Sequence, residues 1–296
     1  MKLRVFHRTR YDYASPVRES FNEVRLRPAS TDAQQCHHFE LRITPEARVS
    51  HYFDFYGNCV HLFDVSAPHA VLIVETHADV ITPEEPALPP DARPAPFSAL
   101  DGSLLVDRCY DFLPASTHVE ISAEAEAFAR AAIGGTTDVW QAALAISRAI
   151  HREFQYRPAS TTVHTHMREV LASRHGVCQD FAHVMIGCCR ALRIPARYVS
   201  GYLYNGPIDQ LKGAQASHAW VEVHVPGHGW CGLDPTNARI VAGNHVKVAV
   251  GRDYADVSPL KGTYRGTDQR KMSVEVLVTR LDEAPTRAEA APLKRP

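Results

Sequence analysis

The chain has 296 residues, 45% of them hydrophobic and 22% charged, with a formal net charge of -1. This is ordinary globular composition, enough for one large domain or two of usual size, and it excludes a disordered or fibrous chain. The near-neutral balance gives no electrostatic basis for binding nucleic acid or an anionic membrane surface.

The first residues, MKLRVFHRTRYDY, lack the continuous apolar stretch of a secretion signal. The strongest apolar run, AVLIV at 70–74, is far too short to span a membrane. Seven cysteines, irregularly spaced and with Cys188 and Cys189 adjacent, make a poor disulfide framework. They fit a reducing compartment, so a soluble cytoplasmic protein is expected.

Residues 1–82 predict a β-rich N-terminal domain. LRVFHRTRYDY, FELRITP, CVHLFDV and AVLIVETHADVI are rich in Val, Ile, Phe and Tyr and are separated by turn signals. Short strands at such intervals suggest an antiparallel β-sandwich. No convergent acid, base or nucleophile stands out there, so its expected role is structural or substrate-shaping. Six prolines in PEEPALPPDARPAPF mark residues 83–97 as an extended linker.

From residue 98 to 284 the pattern becomes that of an α+β domain, with helices first and an antiparallel sheet after them. ISAEAEAFARAAIGG starts at a candidate cap, Ser122, and stops at Gly134 and Gly135. Val139, Ala143, Ile146 and Ile150 recur at three- and four-residue steps in a second helix. A third, HMREVLAS, leads through Gly176 into a fourth, CQDFAHVMIGCCRAL, with Cys178, Ala182, Met185 and Cys189 on one side and Pro195 beyond its end. Strand-like ARYVSGYLY, HAWVEVHV, GWCGLDP, VKVAVGRD and MSVEVLVTR follow. Residues 285–296 read as a flexible tail.

Chemistry gathers around Cys178. A helix N-terminus and a neighbouring imidazolium lower a thiol's pKa from about 8.5 to roughly 3.5–7.5. Cys178 has the first by position: Gly176 permits a tight turn, and the free amides of the helix's first turn point toward the sulfur. The second needs a histidine held by a carboxylate or amide. His218, at the start of a strand, and Asp234, before Pro235, supply both. Antiparallel strands joined at PGHG, 226–229, pair position 218 near 237, and a bulge or imperfect register brings Asp234 within reach. The other six cysteines lack this setting and read as inert apolar residues.

The runs GVCQDFAH, CRALRIPARYVSGY, SHAWVEVHVPGHGW and GLDPTN, in that order, resemble the transglutaminase-like superfamily of bacterial thiol enzymes. YDYASPVRESFNEVRLRP and YGNCV resemble the β-rich N-terminal domain of its bacterial members, and VAVGRDYADVSPLKGTYRG the stretch that follows the core. The resemblance implies a papain-like core of helices packed on an antiparallel sheet, and acyl-transfer or hydrolytic chemistry on a peptide or protein amide. It implies Cys178 as nucleophile, His218 as general base and acid, and Asp234 as the residue that orients the imidazole. It names no substrate, and many bacterial relatives look like proteases or amidases rather than cross-linkers.

Three further residues are candidates for shaping the site. Gln179 offers a side chain or backbone amide to an oxyanion hole. Asp180 reads either as a helix-start carboxylate or as a group that binds or tunes at the site. Trp220 shares a strand face with His218, and shields the imidazole or simply packs in the core. The 17 histidines include His164, His166, His183, His224 and His228, but none has metal-site spacing, so no metal and no cofactor is expected. The loop over 204–216, with Gly206, Pro207 and Gly213, suggests a lid or cleft wall. The alternative to an enzyme is a catalytically silent module of the same fold that binds or scaffolds.

Overall fold

The computed structural model describes residues 1–89, 92–102, 107–158, 160–161, 165–206, 217–267 and 269–281. The lid segment from 207 to 216, the tail from 282 onward and His164 lie outside the described residues.

The front of the chain forms β1 (Lys2–Val24), β2 (Gln35–Thr44), β3 (Val49–Phe53), β4 (Cys59–Val65) and β5 (His69–Ile81). β1 is a 23-residue strand that organises the whole sheet. Its first half pairs antiparallel with β5 and its second half with β4, and the register shifts between Asp12 and Val17. That irregularity lets one strand serve both halves of a curled antiparallel sheet. Tyr13, Val17, Val24, Phe63, Leu72 and Val74 fill the space inside the curl.

Next come α1 (Ala123–Ile133), α2 (Val139–Glu153), β6 (Gln155–Tyr156), α3 (Met167–Ser173), β7 (His175–Gly176) and α4 (Cys178–Ala191). Ser122 accepts from the Ala125 amide and caps α1. Asp138 accepts from the Gln141 amide and caps α2. Val139, Ala143, Ile146 and Ile150 are all buried, as their spacing predicts. α4 is enclosed more fully than its pattern suggests, because every residue from Asp180 to Arg190 is buried. Its buried Arg190 is satisfied by the carbonyls of Pro114, Ala196 and Arg252.

The second sheet has the order β11–β10–β9–β8–β12. It is built from β8 (Ala196–Leu203), β9 (Ser217–Val225), β10 (Gly229–Asp234), β11 (Arg239–Ile240) and β12 (His245–Gly251). Ala219, Val221, Val223 and Val225 of β9 join the main core with α4, while Trp220 of the alternate face packs with Val199 and Val250. After the short helix α5 (Tyr254–Val257) come β13 (Leu260–Arg265) and β14 (Arg270–Arg280).

The sequence groups these last strands with the helical domain, yet both hydrogen-bond to β1. The physical reason is β1 itself, whose second edge needs a partner along its length. β14 supplies one from Leu3 to Tyr13, and β13 one from Arg18 to Val24. Main-chain mimicry adds a further join between the halves. The Gln34 side chain donates to the Lys247 carbonyl and accepts from the Lys247 amide, each at 2.8 Å. Asn58 does the same at Val250, again at 2.8 Å for both bonds. Two side-chain amides thus stand in for a further strand along the β12 edge. At about 1 kcal/mol net per bond these matter less than the burial they accompany, but leaving those strand groups unpaired would cost more.

A chain ending at Ser258 is expected to bind a hydrophobic dye and to unfold at a lower urea concentration than the full chain. Cooperative unfolding at the unchanged midpoint would contradict this account of β1.

Candidate active site

Cys178 is the first residue of α4 and is half-buried. The turn before it depends on a close approach. Gly176 lies against Asp180, and a Cβ at position 176 would meet the Asp180 Oδ2 at 2.7 Å. The Asp180 carboxylate accepts from the Val177 amide at 2.8 Å and from the Thr161 hydroxyl at 2.6 Å. It therefore sits where a helix-start carboxylate satisfies an otherwise unbonded amide, which is the structural one of its two readings. Burial pushes the Asp180 carboxyl up, against the opposing bonds from Thr161 and Val177. Gln179 occupies the same first turn and is half-buried. β6 and β7 run parallel beneath the turn, with Tyr156 opposite Gly176. Tyr156 is 54% exposed, and burial of its hydroxyl, with a smaller contribution from Cys178, raises it above the ordinary tyrosine range.

His218 enters from β9. Its Nε2 donates to Asp234 Oδ2 at 2.8 Å. Cys178 is near enough to the same imidazole to raise it. The β9–β10 hairpin explains how Asp234 reaches this position. Val225 pairs with Gly229 across a three-residue turn centred on Gly227, whose φ is 80°. Val221 pairs with Leu233, so the register sets His218 opposite residue 236 rather than 237. His218 and Asp234 are then diagonal neighbours on one face, and no bulge is needed.

Asp234 is fully buried, and its oxygens accept from many donors. Oδ1 accepts from the amides of Thr236 at 3.0 Å and Asn237 at 3.2 Å. Oδ2 accepts from His218, from the Asn237 side chain at 2.7 Å and from His245 Nε2 at 3.3 Å. Burial alone would push this carboxyl up, but the bonds from His218, His245 and Asn237 hold it far below the carboxylate range. Charge-assisted bonds at about 1.5–3 kcal/mol each outweigh a desolvation penalty of several kcal/mol, so Asp234 stays ionised. His218 shows the complement. Burial opposes its charge, yet the bond to Asp234 and the nearness of Asp234 and Cys178 raise it to about 10.

Trp220 is fully buried, its ring 6.2 Å from that of His218 and 5.2 Å from that of His245. It leans over Gly201, where a Cβ would meet its ring at 2.5 Å and the Val246 carbonyl oxygen at 2.1 Å. Gly201 also pairs with His218 across β8 and β9, so a missing side chain lets the tryptophan wall the imidazole.

Sequence reading missed Asn237 and His245. Asn237 lies in the quoted GLDPTN and is visible as an Asx-turn partner of Asp234. His245 carries no signal until the start of β12 is known to meet the end of β10. The ligating atoms of His218, Asp234 and His245 fall within 4.8 Å of one another, a set with the donor chemistry for a divalent ion, although hydrogen bonds already join these atoms. Of the histidines weighed for metal binding, His183 stacks on His118 and accepts from the Tyr254 amide, while His224 packs on Trp230.

A helix that presents a thiol at its first turn, against an antiparallel sheet bearing a histidine and an aspartate, defines the papain-like class of α+β folds. The sequence profile of the transglutaminase-like superfamily matches residues 126–235, and that of the bacterial transglutaminase-like N-terminal region matches residues 3–81. An uncharacterized protein of Mycobacterium leprae is 35% identical over 283 residues, covering 95% of this chain and 99% of the relative. A solved structure of a candidate cysteine protease from Cytophaga hutchinsonii superposes with a TM-score of 0.76 at 24% identity, covering 97% of this chain and 92% of that one. A protein-glutamine γ-glutamyltransferase of Pseudomonas aeruginosa is 33% identical over 135 residues, 41% of this chain and 20% of the relative. The chain belongs to the transglutaminase-like superfamily, with the N-terminal region found in its bacterial members.

The charge on His218 makes a signed prediction. A histidine raised above its unfolded value of about 6.5 adds stability that is full below that pH and is lost as pH rises through about 10. Urea unfolding should show the wild type losing more stability between pH 7 and pH 10 than Asp234→Asn, in which the imidazole has no anion to face. Equal losses would refute the pairing.

Proposed function

We propose that the chain is a thiol-dependent hydrolase or acyltransferase that acts on amide or peptide bonds through Cys178, His218 and Asp234. What supports this most is the 2.8 Å bond from His218 to a buried, fully bonded Asp234, with Cys178 near enough to raise the same imidazole. An imidazole so held keeps one tautomer and one direction, and stabilises positive charge when it carries two protons.

In this mechanism the Cys178 sulfur, as thiolate, attacks the carbonyl carbon of the amide. His218, as imidazolium, protonates the departing amine as the C–N bond breaks, leaving a thioester on Cys178. Water or a second amine then attacks the thioester. His218 takes the acceptor's proton, and the thiolate leaves with its electron pair. Hydrolysis and transamidation share the first half and differ only in that acceptor. The glutamyltransferase name of the Pseudomonas relative makes side-chain carboxamides a substrate class to include beside peptides. The backbone amides of the first turn of α4, with Gln179, are the proposed donors to the oxyanion, and Trp220 the wall that excludes water. Seven free thiols support the proposal that the protein works in a reducing compartment.

A panel of peptide and carboxamide substrates, with and without added amine, tests activity and acceptor together. Cys178→Ala is expected to abolish turnover, and His218→Ala to lower it by about 10²–10⁴-fold. Iodoacetamide labelling followed by peptide mass mapping is expected to modify Cys178 fast well below pH 8, and slowly in His218→Ala. An ordinary thiol profile that is indifferent to His218 would instead favour the silent binding module.

A further inference from the structure

His245 has no role in the three-residue scheme, yet it is bonded to the scheme's central carboxylate. It opens β12, is 3% exposed, and presents Nε2 to Asp234 Oδ2 at 3.3 Å. Its Nδ1 lies 2.8 Å from the side-chain oxygen Oδ1 of Asn244. An ionised carboxylate only accepts, so the nitrogen facing it bears the proton. Burial lowers His245 from the ordinary histidine range, against the opposing bond to Asp234. A neutral ring protonated at Nε2 has Nδ1 as its acceptor, which the Asn244 amide meets with its oxygen and nitrogen exchanged, NH2 group toward the ring.

Oδ2 therefore serves two imidazoles at once, besides the Asn237 amide. Both rings draw on one negative charge. His218 is nearer and takes the larger share, but what His245 takes is withdrawn from His218. Among the described residues, the other groups that act on the pair are Cys178, which raises His218, and Arg239 of β11, which lowers His245. Trp220 packs against both rings and keeps them apart, their centroids 6.2 Å from one another.

We infer that His245 is a positioning residue that acts through Asp234 to moderate the basicity of His218. This rests on the proposed thiol mechanism, in which His218 must give up a proton to the leaving amine and later accept one from the incoming nucleophile. An imidazole paired with an unshared carboxylate would hold its proton too tightly for the first of these steps. The second neutral imidazole on Oδ2 disperses that charge while leaving Asp234 ionised.

The test measures the titration midpoint of His218 by ¹⁵N NMR of the full chain in a Cys178→Ala background. Removing the thiol takes away one of the groups that raise His218 and makes the readout independent of activity. His245→Phe keeps a ring against Trp220 but loses the N–H, and is expected to move the midpoint up by about 0.5–1 pH unit. His245→Gln retains a donor and is expected to restore it. In the thiol-bearing chain, His245→Phe is expected to lower kcat several-fold with little change in KM. An unchanged or lowered midpoint overturns the inference. Should His245→Phe fail to fold, the Cys178→Ala spectrum alone decides: a proton on His245 Nε2 supports the assignment, and its absence overturns it. Failure of the thiol mechanism would appear elsewhere, as a Cys178 that alkylates identically with and without His218.

Discussion

A carboxylate buried at the end of a strand is the constraint on which the site depends. Asp234 has no access to water, so every charge-stabilising bond must come from the protein. The Asx turn after it supplies two backbone amides and one side-chain amide. The remaining bonds come from two histidines, one on β9 and one on β12. β9 is the neighbour of β10 and β12 lies beyond β8, and their histidines meet at Asp234 because β9 and β12 begin at the end of the sheet where β10 stops. The anion thus fixes the imidazole beside Cys178 and draws the sheet's end together.

The two sheets hold this arrangement in different ways. α4 is buried nearly all round, so the first turn that carries Cys178 has little freedom to shift. Leu3, Val5, Ala78 and Val80 of the curled sheet belong to the same apolar core as α4, β8 and β9. His7 of β1 meets the Tyr202 hydroxyl at 3.0 Å, adding a polar tie between the halves. Gln34 and Asn58 then seal the β12 edge, on the strand that His245 opens. The N-terminal region therefore braces the sheet behind the site.

Much of this was legible in the sequence because it rests on local chemistry. Ser122, the spacing from Val139 to Ile150, and the glycine turn before Cys178 report short-range demands of helix geometry. The pairing of His218 with Asp234 was legible because a hairpin ties their separation to its turn. The register was off by one, since the turn holds three residues centred on Gly227 rather than two. What stayed hidden was long-range. Nothing local in 260–280 says that these strands return to β1, because an edge strand looks alike whichever sheet it joins. His245 likewise shows only as the first residue of a strand. Asp180, open to two readings in sequence, accepts from the Val177 amide and the Thr161 hydroxyl.

The central claim is that one thiol of seven is chemically distinct because of His218 and Asp234. Intact-mass and peptide-mass analysis after acid quenching of the protein mixed with a cleavable amide tests it directly. The account predicts an acyl group, lost on standing at neutral pH, on the peptide that contains Cys178 and on no other cysteine. It predicts no such adduct in His218→Ala. Acylation spread over several cysteines, or persisting at Cys178 without His218, would contradict it.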